Sequence, residues 1–268
     1  MSIRRALVAL LLSASIAGCG GASVLPEGGL TADEVPPPAG ATTSELPGDK
    51  APVKTADSGF NPFAEQPAVP QGGREVIEKP TIADIMQAGP LPEMSFGRPD
   101  APVTIVQYAS LTCPYCRNFH KETFPQLKRA YIDTGKVRYI LREFPIGKAS
   151  GAATIALRCA KPEKYLELYG KFLEQQPAWV SQEVRLDPIF KVASQVGMTR
   201  QQFDACRENQ AMIDGLKWVK ERGRKLGVIG TPNFFVEGTL VKKVLTIEEI
   251  RGLVEPIVQA RASGAAPR

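Results

Sequence analysis

Two cysteines three positions apart, Cys113 and Cys116 in the run Cys113-Pro114-Tyr115-Cys116, are the residues of this chain best suited to chemistry. Thiols at that spacing on the first turn of a helix can close a disulfide with each other, open it, and exchange it with other thiols. The attacking and departing species is the thiolate, so each sulfur's reactivity follows its pKa. The elements that must hold the pair are legible around it. Pro102 to Ser110 has the β-branched and aromatic content of a buried strand and runs directly into the first cysteine. Beyond it Cys116, His120, Phe124, Leu127 and Tyr131 recur at steps of three and four, one face of a helix. Pro114 suits the first helical position, where a missing N–H removes no bond. Val137 to Phe144 reads as a second strand, so the order is strand, dithiol, helix, strand.

That βαβ placement predicts an asymmetry between the sulfurs. The unpaired N–H groups and positive dipole end of a helix N-terminus stabilise an anion. Cys113, at the very start, is expected to be the more exposed sulfur, with a pKa below the free value of about 8.5, and to act as nucleophile. Cys116, turned inward, is expected to resolve a mixed disulfide. A stabilised thiolate favours the reduced form and makes the oxidised form the stronger oxidant.

Other uses of Cys-x-x-Cys fit poorly. Haem attachment needs a histidine at 117, where Arg117 stands. A structural zinc site needs a second close pair, and Cys159 and Cys206 are far apart. His120 is the only histidine, so no histidine-based metal cluster or catalytic triad can be built. It is expected to pack on its helix face, with tuning of Cys116 as the alternative. No metal and no cofactor are expected, and a purely structural Cys113–Cys116 disulfide is the alternative.

The 268 residues are 43% hydrophobic and 23% charged, ordinary for a globular protein. The net charge of +5 is uneven: Gly20 to Glu78 carries nine acidic and three basic residues, which leaves Lys79 onward near +9. No nucleic-acid motif accompanies that excess. The densest cluster, Lys217, Lys220, Arg222, Arg224 and Lys225, falls in a helical pattern and reads as a solvated face.

Met1 to Gly18 reads as an export signal, with Arg4 and Arg5 ahead of the apolar run Ala6 to Leu12. That run is short of the ~20 apolar residues a spanning helix needs. Ile16-Ala17-Gly18-Cys19 resembles a bacterial lipobox, which implies cleavage before Cys19 and lipidation of its thiol; an ordinary soluble export signal is the alternative. Gly20 in place of an acidic residue points, by the same resemblance, to the outer membrane. From residue 19 to 78 the chain is expected to be a disordered tether, with nine prolines and nine glycines between Gly20 and Glu78. As a flexible coil it would reach on the order of 40 Å.

Val228 to Val236 reads as a turn followed by an apolar strand, and its Thr231-Pro232 resembles the cis-proline loop of thioredoxin-fold proteins. Val241 to Val244 reads as the last strand, with Thr246 capping a final helix through Glu248 and Glu249. The expected fold is therefore α/β, a thioredoxin βαβ…ββα with an inserted helical domain at about 147–225. Helical patterns there, with breaks, cover Ala152 to Ala160, Glu163 to Leu173, Asp187 to Val196 and Arg200 to Leu226.

Cys-Pro-Tyr-Cys-x-x-Phe-His, the Gly-Thr-Pro loop and the inserted helices together resemble the DsbA family over about Pro92 to Val258. The resemblance implies a periplasmic thiol–disulfide oxidoreductase that donates its disulfide to unfolded or folding exported proteins. It implies reoxidation by a quinone-linked, DsbB-like membrane partner. It carries the roles of nucleophile to Cys113, resolving thiol to Cys116, and substrate contact to Pro114, Tyr115, Thr231 and Pro232. Two departures stand out. Tyr115 replaces the histidine of the best-known oxidases and adds no positive charge, so Cys113 is expected below the free thiol value but above the strongest oxidases. Cys-Pro-Tyr-Cys also occurs in reducing and isomerase relatives, which would use a DsbD-like reductant. Gln107 stands where the fold usually buries an acid that helps Cys116 shed its proton. A binding or chaperone lipoprotein with merely structural cysteines is the rival of another class.

Of five cysteines, Cys19 and the dithiol account for three, leaving Cys159 and Cys206. An oxidising compartment permits their pairing, and some relatives carry such a pair. Two separately buried thiols are the alternative, since free cysteine packs well as a small hydrophobe.

Overall fold

The computed structural model describes residues 75–264. The signal at 1–18, Cys19 and the tether as far as residue 74 lie outside the described residues. Described residues ahead of Lys79 contact the helix that ends at Lys225. The Ile77 N–H donates to the Lys225 carbonyl at 2.8 Å, and Glu75 pairs with Lys225.

A five-stranded sheet carries the described residues, in the order β1-β3-β2-β4-β5. Its strands are β1 (Met94–Phe96), β2 (Val103–Ala109), β3 (Val137–Glu143), β4 (Asn233–Val236) and β5 (Thr239–Val241). The central pair β2 and β3 is parallel, joined by the helix that follows the dithiol, and the other pairings are antiparallel. Being covered on both faces, β2 and β3 read as near-continuous apolar runs. Successive side chains still alternate: Ile105, Tyr139 and Leu141 face the core that holds Cys116, while Val106, Tyr108 and Ile140 face a second, smaller core. Two short elements escaped the sequence reading. The helix α1 (Ile82–Ile85) has four residues, held by the Thr81/Asp84 capping box, and β1 has three. Neither is long enough to show a period.

The helix after the dithiol is not uniform. It runs as α2 (Pro114–Asn118), a π-helical segment Phe119–Thr123, α3 (Phe124–Leu127) and a second π-helical segment Lys128–Ile132. Pro125 supplies no N–H, and the Thr123 hydroxyl bonds outward to the Leu245 carbonyl at 3.1 Å.

The inserted block comprises α4 (Lys148–Arg158), α5 (Pro162–Glu174), α6 (Gln176–Trp179), α7 (Leu186–Ala193), α8 (Arg200–Arg207) and α9 (Gln210–Lys225). The stretch from Arg200 to Leu226 is two helices, its break falling at Asn209, which caps the second by accepting from the Met212 N–H at 3.0 Å. The final helix α10 (Ile247–Ala262) starts on the expected Thr246, in a capping box closed by Glu249. Gly223 marks a close approach of α9 to the sheet, for a β-carbon there would meet the Tyr108 ring at 2.7 Å.

The basic residues of α9 lie beside acids. Lys217 pairs with Asp214, Arg222 with Asp84, Arg224 with Glu221 and Lys225 with Glu75. Lys220 sits over the Phe144 ring. No described helix is long and apolar enough to cross a membrane.

Candidate active site

The dithiol sits where β2 ends and α2 begins. Cys113 is the N-cap of α2, in extended backbone, and Pro114 takes the first helical position. Both cysteines are free thiols. Cys116 is fully buried and Cys113 is only 9% exposed, so the expected difference in exposure is a narrow one. Beside Cys113, Pro114 and Tyr115 are exposed, the latter 60%.

The electrostatics separate the two sulfurs widely. Hydrogen bonding with the Cys116 thiol does most to bring Cys113 down to about 5, and the N–H groups of Tyr115 and Cys116 add to it against the opposing cost of burial. The helix start therefore contributes, but the partner thiol ranks ahead of it. Burial, then the neighbouring Cys113, pushes Cys116 well above the ordinary thiol value. One sulfur is a thiolate at neutral pH and the other a thiol.

The Thr231–Pro232 loop faces the pair from β4, and its peptide bond is cis. The Cys113 thiol donates to the Thr231 carbonyl at 3.0 Å, a bond that serves the protonated form. The Thr231 hydroxyl is buried without a partner and is the donor left to face the thiolate. The structure thus brings Cys113, Cys116, Pro114, Tyr115, Thr231 and Pro232 to one place from two distant segments.

Behind Cys116, Gln107 is fully buried. Its Oε1 accepts from the Tyr139 hydroxyl, and its Nε2 has no partner. His120 packs against the Phe124 ring and edge-on to Tyr169, with Gly170 so close that a β-carbon would meet its Nε2 at 2.7 Å. Burial lowers its pKa to about 4, so it is neutral and packs.

Sequence reasoning missed the polar side chains that hold the loop. Gln176, from α6, donates through Nε2 to the Leu111 carbonyl at 2.8 Å and the Cys113 carbonyl at 3.0 Å. Ser110 bonds Ser150 at 2.9 Å, tying the loop to α4. Glu143, at the end of β3, accepts from Tyr165 at 2.6 Å and pairs with Arg158. No motif marks any of them, because each acts across a fold-level contact.

A family model described as thioredoxin matches residues 91–256. The chain belongs to the thioredoxin family. A Rickettsia bellii protein named as a protein-disulfide oxidoreductase is 26% identical over 205 residues, which cover 74% of this chain and 76% of that protein. A Rickettsia conorii protein of the same designation is 31% identical over 151 residues; the match spans about half of each protein, 54% of this chain and 53% of that one. The crystal structure of Wolbachia pipientis alpha-DsbA1 superposes with a TM-score of 0.62 at 25% identity, covering 68% of this chain and 98% of that one. The thioredoxin-fold protein described here is a thiol–disulfide oxidoreductase of the DsbA type.

Cys159 and Cys206 are joined by a disulfide, with Cα atoms 6.1 Å apart. The bond links the end of α4 to α8 inside the helical block, and the Met212 sulfur lies 3.8 Å from that of Cys159.

Proposed function

We propose that this oxidoreductase works as an oxidase of exported proteins, donating the Cys113–Cys116 disulfide to clients. The observation that carries the reading is the split between the sulfurs, with Cys113 held at about 5 beside a buried, high-pKa Cys116. A low-pKa thiolate stabilises the dithiol product of donation, so the disulfide is the more readily given up.

The exchange proceeds in two steps. A client thiolate attacks the Cys113 sulfur; the Cys113–Cys116 bond breaks, and its electron pair leaves on Cys116, which takes up a proton. A second client thiolate then attacks the client sulfur of the mixed disulfide, and Cys113 departs as thiolate. The client gains a disulfide and the dithiol is left reduced. Attack falls on Cys113 because Cys116 has no exposed surface. An unfolded client is favoured by the apolar rim of Tyr115, Ile146 and Ile229, all exposed, and by the Thr231 backbone, which can pair with an extended segment.

Returning the dithiol to disulfide requires an electron acceptor, for which a quinone-linked membrane protein is the partner class. Tyr115 favours the second reading, a reductase or isomerase kept reduced by a DsbD-like partner, because it supplies no positive charge beside the thiolate. Trapping the redox state in cells decides between them: an oxidase is found mainly as disulfide, and a chain found mainly as dithiol ends the oxidase reading. The periplasmic, lipid-anchored location rests on Met1 to Cys19. Cys19→Ser should move the protein from membrane to soluble fraction with unchanged exchange activity, and an unlipidated wild-type N-terminus in mass spectrometry would contradict the anchor.

A further inference from the structure

Gln176 lies far from the dithiol in sequence and belongs to the inserted helices rather than to the sheet. It opens the short helix α6, is 5% exposed, and sends its amide nitrogen toward the active-site loop. That nitrogen carries two hydrogens, and two acceptors stand within reach: the carbonyls of Leu111 at 2.8 Å and Cys113 at 3.0 Å. The Cys113 carbonyl takes one further bond, from the Arg117 N–H at 3.2 Å. The residue's position is itself fixed. Three places on, Trp179 is fully buried and donates through Nε1 to the Phe172 carbonyl at 2.8 Å, anchoring α6 to α5.

We propose that Gln176 is a positioning residue for the dithiol, its single amide clamping the Leu111 and Cys113 carbonyls and so setting the loop on which the Cys113 sulfur alternates between thiolate and disulfide. The inference rests on the oxidoreductase reading and adds to it a residue outside the Cys-Pro-Tyr-Cys and Thr-Pro motifs. The physical basis is local. Carbonyl oxygens carry partial negative charge, and in a nearly water-free position beside a sulfur anion they oppose it unless a donor takes them up. Gln176 is that donor, and it also holds the loop so that the N–H groups of Tyr115 and Cys116 face the sulfur. Glutamate in its place cannot donate and adds charge of the wrong sign. Methionine keeps the length and loses both hydrogens.

The test compares Q176M and Q176E with the wild-type full chain and with Q175M. The Gln175 side chain pairs with Gln195 across the helical block, at 2.8 Å, and so controls for loss of an amide nearby. Thiolate absorbance gives the Cys113 titration, equilibration with glutathione gives the potential, and melting of the oxidised form reports the fold. Q176M is expected to shift the thiol–thiolate equilibrium of Cys113 about tenfold toward thiol, lowering the potential by about 30 mV. Q176E should shift it further, while Q175M matches wild type. If Q176M does not fold, Q176N replaces it, keeping an amide that falls short of the two carbonyls. Wild-type titration and potential in both Gln176 variants, even with lower melting, would overturn the proposal and leave a structural residue. A wild-type Cys113 titrating at the free-thiol value would instead overturn the thiolate reading beneath it.

Discussion

Cys113 and Cys116 lie three residues apart at the start of one helix, whereas Cys159 and Cys206 lie 47 residues apart and join two helices of the inserted block. The first pair is faced by a loop from β4, by Gln176 and by backbone N–H groups that act differently on its two sulfurs. The second is faced by apolar side chains and a methionine sulfur, with Ile155, Ile213 and Leu216 among its neighbours. Sulfur chemistry is the same in both places. What differs is whether the surroundings stabilise one sulfur as an anion. Where they do, the bond can be handed on; where they do not, it is a crosslink.

The largest effects should come from breaking the reactive pair. Cys113→Ala is expected to abolish thiol oxidation and insulin reduction while the protein still folds, and full activity in that variant would end the proposed mechanism. Cys116→Ala has no disulfide to donate and should instead accumulate the mixed disulfides that Cys113 forms by attacking oxidised clients, visible on non-reducing gels, because in that reducing direction Cys116 is the thiol that releases them.

Removing the crosslink should spare the chemistry and cost stability. The double substitution Cys159→Ala with Cys206→Ala opens a loop worth about 4 kcal/mol in the chain-entropy model, and strain or residual structure reduces that figure. For a domain of this size the melting temperature should fall by about 10 °C. The Cys113 titration should stay at its wild-type position. A shift there would mean that the two pairs are coupled, and the contrast between them would fail.

The pH dependence sharpens the contrast further. Cys113 has a folded pKa of about 5, beneath its unfolded value of about 8.5. Its thiolate therefore stabilises the dithiol form in full above pH 8.5, by roughly 3 kcal/mol at pH 7, and that stability is lost as the pH falls through 5. The reduction potential should then fall by about 30 mV per pH unit above 5 and about 60 mV per unit below it. Oxidised protein, with no Cys113 proton to bind, should show no such loss. A single slope from pH 4 to 8 would remove the thiolate from the argument.

The smallest expected effect concerns Gln107. Gln107→Glu places a titratable group behind Cys116, where Nε2 now has no partner. In the reducing direction, where Cys116 must shed its proton to attack a mixed disulfide, it should speed release severalfold at neutral pH, and it should lower stability, because a carboxyl there is buried. An unchanged release rate would show that Cys116 loses its proton by another route.

Much of this was decided along the chain. β2, β3, the dithiol between them and the Thr246 cap are local events, written in β-branched runs, a proline at the first helical position and a Thr-x-x-Glu box. The order of the elements and the chemical type of the dithiol follow from them. Tertiary structure decided the rest. It brought Thr231 to Cys113 across 118 positions and Gln176 across 63. It also buried Cys116 and set the Thr231 hydroxyl beside Cys113, which drives the two sulfurs further apart. The physical reason is range. Periodicity and capping act within a turn or two of backbone, while burial and the partners of a sulfur depend on which distant side chains the packing delivers.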